Sequence, residues 1–527
     1  MAFDILLKNG RIIDGKGNPW FRGDVAVADG RIHAVRPRIQ GEAREELDAS
    51  QYVVCPGFID AHTHSDYVFF VDPTAQSKVR QGVTTEVTGN CGMSGAPYSG
   101  GGAKQKLLPA SGGFVPFWES IPEYLETLAR QPKTVNIAPL IGHGTLRAAI
   151  VGHEDRPPTP DELARMKACL TEGLEAGAVG LSTGLYFAPG AFASEQELVE
   201  LASIAGRHGT VVTSHIRDEG SRSVGFIPAV REILRIGRDA RVPVHISHIK
   251  AFGPDTWHTS GEVLRILEAA RTEGIDATCD QYPYDTTGGG LAADTLPYSF
   301  QSGKTTTQIS EALRQPAIRQ SIKETVATNI QKRGGPSVLT IATYPADPTL
   351  EGRTLQEICD SRKKDPAEVV MDMLGDGDEA KWNCRSLCPE DVDAFLQYPV
   401  TMIGSDGSSL STEGPLSRGN PHPRNFGAFP RVINEYVRQR AVLRLEDAIR
   451  KMTSLSAQRF SLRDRGALAE GMWADIVMLD VEAVRDATFE NPKQYPTGIP
   501  YVMVNGAWVI KDNEFTRNLP GGLARRR

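Results

Sequence analysis

The sequence of 527 residues predicts an α/β protein built around a (β/α)8 TIM barrel. Eight short apolar runs alternate with stretches of helix-like periodicity, which is the pattern of βα units and a parallel sheet. Both ends of the chain show a different pattern, with period-2 runs separated by turn residues. A long segment divides the seventh run from the eighth and predicts an insertion.

The two ends of the chain share one β pattern. The N-terminal runs DILLKNGRIIDG and GDVAVADGRIHAV contain Asn-Gly and Asp-Gly pairs, which favour hairpin turns. The C-terminal runs ADIVMLD and YVMVNGAWVIKD repeat this arrangement. We therefore predict one small β-sandwich domain formed by residues 1–55 and 465–527.

Residues 56–464 are predicted to form the barrel. Helical stretches such as ELARMKACLTEGLEAG and EVLRILEAARTEG separate its strands. The candidate strands are residues 57–64, 84–91, 136–144, 178–184, 210–217, 242–250, 276–284 and 400–407. Residues 285–399 are too long for an ordinary βα loop and carry their own helix and strand patterns. We interpret them as an inserted subdomain over the barrel mouth, which serves either substrate selection or packing.

Reactive polar side chains collect at the C-terminal ends of the predicted strands, the face where parallel barrels carry their active sites. His62 and His64 are spaced i, i+2 in an extended chain, so both imidazoles can face one ion. His245 lies three residues before His248 and should point to the opposite side, as a packing or supporting residue. The strand-end residues are His62, His64, Cys91, His143, His215, His248, Lys250, Tyr282 and Asp406.

Composition narrows the classes of function. A formal net charge of −7 argues against a nucleic-acid partner, and no apolar stretch approaches the roughly 20 residues of a membrane span. The N-terminus lacks a signal-peptide pattern, so a cytoplasmic location is expected. Seven scattered cysteines indicate reduced thiols. Cys384 and Cys388 look like half of a zinc site, but no His or Cys pair follows at suitable spacing, so no site is predicted there.

Nine motifs together resemble the amidohydrolase superfamily, and specifically its N-acyl-D-amino-acid deacylase (D-aminoacylase) branch. They span nearly the whole chain and follow one another in the order of that branch. The motifs are PGFIDAHTHSD (56–66), GVTTEVTGNCG (82–92), GHGTLR (142–147), GLSTGLYFAPG (180–190), SHIRDEG (214–220), SHIK (247–250), YPY (282–284), GSDG (404–407) and PHPRNFGAFPR (421–431). The resemblance implies a zinc-dependent enzyme that hydrolyses the amide of N-acyl-D-amino acids to a D-amino acid and a carboxylate.

The resemblance also implies the metal ligands. A tightly bound Zn²⁺ is expected at Cys91, His215 and His248. A second, weaker site is expected at His62, His64 and Asp406, with Cys91 as a bridge. Many amidohydrolases use a carboxylated lysine on the fourth strand for that bridge, but AVGLSTG contains no lysine. One thiolate and two imidazoles suit zinc and leave a position for water.

The expected mechanism follows from that site. Zinc lowers the pKa of its water to about 7, so a metal-bound hydroxide is expected to attack the amide. Asp406 is expected to be the catalytic proton shuttle. By resemblance, the substrate carboxylate should be bound by Lys250, Tyr282 and Arg424, because a cationic fork matches a carboxylate.

One departure from the branch concerns the residues after YPY. Relatives often carry a small polar residue there, commonly Ser, that adds to the carboxylate site. Here the sequence reads DTTGGG, which brings Gly288 or Gly289 near that position and leaves the hydroxyl to Thr286 or Thr287.

Two alternatives remain. A cyclic amidase of the hydantoinase or dihydroorotase kind shares the barrel but normally uses the fourth-strand lysine. A non-catalytic scaffold should have lost ligands, yet all six positions are filled. The acyl group, the amino-acid side chain and the oligomeric state stay open.

Overall fold

The computed structural model of the protein describes residues 2–97, 114, 116, 118–377 and 380–526. Within these residues the strands are β1 (Phe3–Ile12), β2 (Phe21–Ala28), β3 (Arg31–Arg36), β4 (Ala43–Asp48), β5 (Val53–Pro56), β6 (Phe58–Asp60), β7 (Val83–Thr88), β8 (Asn136–Gly142), β9 (Gly180–Gly184), β10 (Val211–His215), β11 (Val244–Ile246), β12 (Ala277–Gln281), β13 (Thr287–Gly290), β14 (Leu339–Thr343), β15 (Lys381–Cys384), β16 (Thr401–Ile403), β17 (Ile476–Leu479), β18 (Tyr501–Val504), β19 (Ala507–Lys511) and β20 (Glu514–Phe515).

The α-helices of the same residues are numbered in chain order. They are α1 (Gln76–Val79), α2 (Ile121–Arg130), α3 (His143–Ile150), α4 (Pro160–Glu175), α5 (Glu195–Arg207), α6 (Phe226–Ala240), α7 (Ser260–Thr272), α8 (Leu291–Thr295), α9 (Tyr298–Gln301), α10 (Thr306–Leu313), α11 (Pro316–Lys332), α12 (Leu355–Arg362), α13 (Pro366–Asp376), α14 (Pro389–Gln397), α15 (Arg424–Arg431), α16 (Leu445–Met452) and α17 (Ser454–Arg459). None of the described helices has the length and apolar character needed to cross a bilayer.

Strands from both ends of the chain form one nine-stranded sheet in the order β20-β19-β18-β17-β5-β1-β2-β3, with β4 paired to β1. Asp29 and Gly30 both have positive φ and make the two-residue turn between β2 and β3. The expectation of a turn at Asn9-Gly10 is wrong. Asn9 also has positive φ, but it forms a bulge inside β1, and its N–H donates to Asp24. The domain boundaries 1–55 and 465–527 stay a prediction.

The barrel contains all eight of the predicted strands. They are parallel and follow the order β6-β7-β8-β9-β10-β11-β12-β16. Backbone hydrogen bonds close the barrel between its first and last strands. The Asp406 N–H donates to the His62 carbonyl, and the His64 N–H donates to the Gly407 carbonyl, both at 2.9 Å. Barrel closure therefore brings the end of the first strand against the end of the eighth.

Local sequence features explain how helix α4 packs on the barrel. Helix α4 begins after Thr159, whose hydroxyl accepts from the Glu162 N–H in a capping box. A Cβ added to Gly173 would lie 2.5 Å from Ile141, so a small residue lets α4 approach β8 closely. The cap sets the residue at which α4 begins. The buried face that contains Gly173 packs against β8.

The segment between the seventh and eighth barrel strands carries its own antiparallel sheet, in the order β13-β15-β14, and helices α8 to α14. Its two ends meet, since the Leu387 N–H donates to the Asp285 carbonyl at 3.1 Å. The boundaries 285–399 and a position over the barrel mouth stay predictions.

Candidate metal centre

Side chains from five barrel strands converge at the C-terminal end of the barrel. Their ligand atoms form two groups, in each of which every atom lies within 4.8 Å of the others. The first group is Cys91, His215 and His248, and the second is His62, His64, Cys91 and Asp406. The structure thus brings together all six residues that the sequence named as metal ligands, and Cys91 belongs to both groups.

The Cys91 thiol lies at the centre of the imidazoles. Its Sγ atom is 3.3 Å from Nε2 of His62, 3.3 Å from Nε2 of His248 and 3.6 Å from Nδ1 of His215. A tetrahedral zinc ion with ordinary bond lengths would separate a sulfur ligand from a nitrogen ligand by about 3.6 Å. The residues present therefore fit a zinc ion in both donor type and spacing.

Three of these residues have a left-handed backbone that non-glycine residues seldom adopt. The φ angles are 54° at Cys91, 34° at His248 and 50° at Asp406. Each conformation is held by its surroundings. For example, the His248 N–H donates to Oδ1 of Asp280 at 3.0 Å. Backbone strain of this kind concentrates at functional sites, where it turns a side chain toward a chosen point.

A glycine on the fourth strand makes room for the thiol. A Cβ added to Gly184 would lie 2.0 Å from the Cys91 carbonyl oxygen, closer than any real Cβ contact. Since that contact is with backbone, no rotamer change could relieve it. The glycine of AVGLSTG therefore allows the Cys91 turn to pack against β9.

The candidate metal centre favours the thiolate form of Cys91 and the carboxylate form of Asp406. Burial alone would raise the pKa of the Cys91 thiol, but His62 and His248 lower this pKa well below its ordinary value. Burial opposes ionisation of Asp406 too, yet Arg424 and His248 hold the pKa of its carboxyl well below the usual range. Burial lowers the pKa of His64, but Asp406 and Cys91 raise it to about 9. Thiolate and carboxylate are the forms that coordinate metals.

Two buried carboxylates support the imidazoles from behind, and the sequence analysis did not identify them. Asp280 lies 3.5 Å from Nδ1 of His62, and Glu219 lies 3.0 Å from Nδ1 of His248 and 3.4 Å from Nε2 of His215. Such partners orient metal-binding histidines. A weak signal was available, because Asp280 precedes Tyr282 by two residues on one strand face, and Glu219 follows His215 within SHIRDEG.

Two other strand histidines lie outside both groups. His245 points away as expected. Its Nδ1 atom hydrogen-bonds with Thr278 Oγ1 at 2.8 Å, and its Nε2 atom hydrogen-bonds with Asp280 Oδ2 at 2.7 Å. His143 directly follows β8 and begins α3, and it contacts Glu197 at 2.8 Å, while Glu197 pairs with Arg147 at 2.6 Å. This buried ion cluster links α3 to α5 and is separate from the candidate metal centre.

The three residues expected to bind a substrate carboxylate gather around one ring. Lys250 Nζ lies 5.6 Å and Arg424 Cζ lies 5.2 Å from the ring centre of Tyr282. Both cations already have a protein partner, which the sequence did not indicate. Arg424 pairs with Asp406 at 2.8 Å, and Lys250 pairs with Glu219 at 2.5 Å.

The region after YPY leaves space beside Arg424. A Cβ added to Gly288 would lie 3.7 Å from Nη2 of Arg424 and 3.2 Å from Oδ1 of Asn383. The Thr286 hydroxyl donates to Asp285 at 3.0 Å instead. Gly288 is therefore the residue of the DTTGGG run that lies next to the predicted carboxylate receptor.

Comparison with known proteins agrees with this geometry. The amidohydrolase family model matches residues 45–331 and 347–510. D-aminoacylase of Alcaligenes xylosoxydans xylosoxydans is 36% identical over 534 residues, which cover 99% of this chain and 98% of that protein. The crystal structure of N-acyl-D-glutamate deacylase from Bordetella bronchiseptica, complexed with zinc and a phosphonate mimic of the tetrahedral intermediate, is 34% identical with a TM-score of 0.84, covering 100% of both chains.

A structure of D-aminoacylase described as having a binuclear metal centre, with one-metal activation and second-metal attenuation, is 36% identical with a TM-score of 0.84 and covers 100% of both chains. The similarity thus extends over the barrel and the terminal sheet alike. On this full-length match in sequence and structure, the chain belongs to the amidohydrolase family.

Proposed function

We propose that the protein is a zinc-dependent N-acyl-D-amino-acid deacylase that hydrolyses a linear amide to a D-amino acid and a carboxylate. The observation that carries this proposal is the Cys91 thiol among three imidazoles at the C-terminal end of the barrel. Similarity to D-aminoacylase and to N-acyl-D-glutamate deacylase over the full chain supports the substrate class.

The two groups of side chains receive separate roles in the proposal. Cys91, His215 and His248 would hold one tightly bound zinc ion. His62, His64 and Asp406, with Cys91 as a bridge, would hold a second and weaker one. When bound, zinc supplies a water ligand with a pKa near 7 and a Lewis acid for the scissile carbonyl.

Asp406 is the proposed proton shuttle. Its Oδ1 atom lies 3.1 Å from Nε2 of His64, and its Oδ2 atom lies 2.8 Å from Arg424. Arg424 and His248 hold the pKa of this carboxyl well below its usual range, so it is ionised, which is the form that a proton acceptor requires. Returning that proton to the leaving nitrogen completes amide cleavage.

Lys250, Tyr282 and Arg424 are the proposed receptor for the substrate carboxylate. Arg424 offers a planar fork at the edge of the cluster, and the buried Tyr282 ring lies beside it, with its centre 5.2 Å from Cζ of Arg424. An arriving carboxylate would share Arg424 with Asp406. The Arg424 guanidinium would then contact both the bound substrate carboxylate and the proposed proton shuttle.

We also propose a cytoplasmic location for the protein. All seven cysteines are free thiols, as expected for a reducing compartment. The substrate would be a small molecule, and the formal net charge of −7 gives no basis for a nucleic-acid partner.

The proposed function is tested by hydrolysis of matched N-acetyl-D- and N-acetyl-L-amino acids by the purified, zinc-supplemented protein. We expect release of free amino acid from the D series, and loss of that activity after chelation. Turnover confined to the L series, or to cyclic ureides and imides, would contradict the proposal.

A further inference from the structure

Two distant segments of the chain are joined at one side of the barrel. The loop after β11 pairs Phe252 with Leu387 in an antiparallel bridge, and the Gly253 N–H donates to the Ser386 carbonyl at 3.0 Å. The Trp257 indole donates to that same carbonyl at 3.1 Å. The loop that follows His248 and Lys250 is thereby fixed to the segment that leaves the insertion.

Three metal-binding side chains meet at this junction. The Cys388 Sγ atom lies 3.6 Å from Nδ1 of His258 and 2.8 Å from Oε2 of Glu390, and the three ligand atoms all lie within 4.8 Å of one another. Asp391 holds the arrangement together, because its carboxylate accepts the N–H groups of His258 at 2.7 Å and Ser260 at 3.1 Å. Backbone contacts therefore hold the His258 loop against the Cys388 segment.

The distance between Cys388 and His258 matches a tetrahedral zinc ion. Ordinary bond lengths separate a sulfur from a nitrogen or oxygen ligand by about 3.6 Å, which is the distance between Cys388 and His258. The Glu390 carboxylate is closer than that, but its side chain is exposed and can swing outward by less than ~1 Å to reach the same geometry. Thiolate, imidazole and carboxylate are all zinc ligands, and three of them leave one position for water.

We propose that His258, Cys388 and Glu390 form a further zinc site, outside the candidate metal centre, that ties the loop after β11 to the exit of the insertion. The site shares no residue with the candidate metal centre. Cys384, which lies four residues before Cys388, takes no part in it, because its Sγ atom contacts the Arg333 carbonyl at 3.9 Å. The zinc partner of Cys388 is therefore a histidine 130 residues earlier in the chain.

Zinc counting tests the proposal on the full-length protein. Wild-type protein and a Cys388→Ala variant are saturated with ZnCl₂, desalted and analysed for zinc per chain. We expect the variant to hold one zinc ion fewer and to keep its hydrolytic activity. The Cys388 side chain makes no capping hydrogen bond to α14, so the substitution leaves the helix start intact. Cys384→Ala is the matched control and should bind as much zinc as the wild type.

A cobalt titration separates this site from the candidate metal centre. A Cys91→Ala protein should retain thiolate-to-cobalt charge-transfer absorption, and adding Cys388→Ala or His258→Gln should abolish it. Equal zinc content in wild type and Cys388→Ala would overturn the proposal. So would a cobalt spectrum of the Cys91→Ala protein that does not respond to loss of Cys388. Neither result depends on which substrate the enzyme cleaves.

Discussion

At the residue scale, Asp406 connects the parts of the candidate centre. One carboxylate oxygen faces His64 and His62, and the other faces Arg424. Asp406 lies three residues after the end of β16, and its left-handed φ of 50° turns the side chain into this position. This position between imidazoles and a guanidinium is what the proposed proton shuttle would use.

Asp406→Asn should therefore abolish most catalysis while leaving the tight zinc ion in place. The amide has nearly the same shape but cannot accept the proton, so we expect kcat to fall by about 10²–10⁴-fold. Steady-state kinetics and zinc analysis of the same preparation check this. A variant with kcat within a factor of two of the wild type would exclude Asp406 as the shuttle.

Asp280→Asn should weaken zinc binding although it replaces none of the proposed ligands. The carboxylate lies 3.5 Å from His62 and accepts the His248 N–H at 3.0 Å, so it positions one imidazole from each group. Loss of such a partner costs about 10–100-fold in metal affinity. Zinc affinity is measured by competition with a chelating dye. Asp276→Asn, at the start of the same strand, is the control and should bind zinc like the wild type.

At the element scale, the packing of β9 against the Cys91 turn determines where the thiol lies. Gly184→Ala would place a methyl group 2.0 Å from the Cys91 carbonyl, so the turn must shift. We expect lower zinc content and lower activity, because ligands tolerate little displacement. Both are assayed beside Gly261→Ala in α7, where an added Cβ meets nothing within 4 Å. Equal zinc content in the two variants would contradict this account of Gly184.

The buried Glu197 cluster gives a prediction for the helices. Burial would raise the pKa of Glu197, but His143 and Arg147 lower it below its ordinary value. Glu197→Gln leaves Arg147 buried without its carboxylate, which should reduce the free energy of unfolding by about 3–5 kcal/mol at neutral pH. Denaturant unfolding measures this free energy. The double variant Glu197→Gln/Arg147→Met should lose less unfolding free energy than Glu197→Gln alone.

The pH dependence of that effect has a definite sign. A carboxyl whose folded pKa is depressed stabilises the fold above its unfolded pKa of about 4.3. The contribution is lost as pH falls through the lower folded value. The stability difference between wild type and Glu197→Gln should therefore be constant near neutrality and narrow on acidification. A difference that grows toward low pH would contradict the assignment.

At the scale of the whole molecule, the barrel was readable from the sequence because its strands and helices depend on local pattern, whereas the proposed ligand set came from the resemblance of the motifs to the deacylase branch. Apart from β9, each barrel strand carries one of the reactive side chains at its end or within three residues after it, and that order is preserved in the fold. The bulge at Asn9 was not readable, because its cause is the Asp24 carboxylate on the neighbouring strand. Asp280 and Glu219 were missed for a similar reason. Their roles come from the imidazoles they face, which lie on other strands or loops.

The pairing of Arg424 with Asp406 and the junction of His258 with Cys388 also depend on chain segments far apart in sequence. Barrel closure and the return of the insertion create these contacts, and no local periodicity encodes them. The sequence thus predicts which residues end each strand, while the fold decides which of them meet.

Cys91 is proposed to anchor the zinc ion on which amide hydrolysis depends. Zinc content and hydrolysis of N-acetyl-D-amino acids should be measured together in Cys91→Ala. Cys279→Ala is the control, a buried thiol on β12 whose Sγ contacts Thr401 at 3.2 Å and has no ligand role. We expect Cys91→Ala to lose the tight zinc and the activity together, while Cys279→Ala keeps both. A Cys91→Ala protein with full zinc at the barrel centre and full activity would contradict the account.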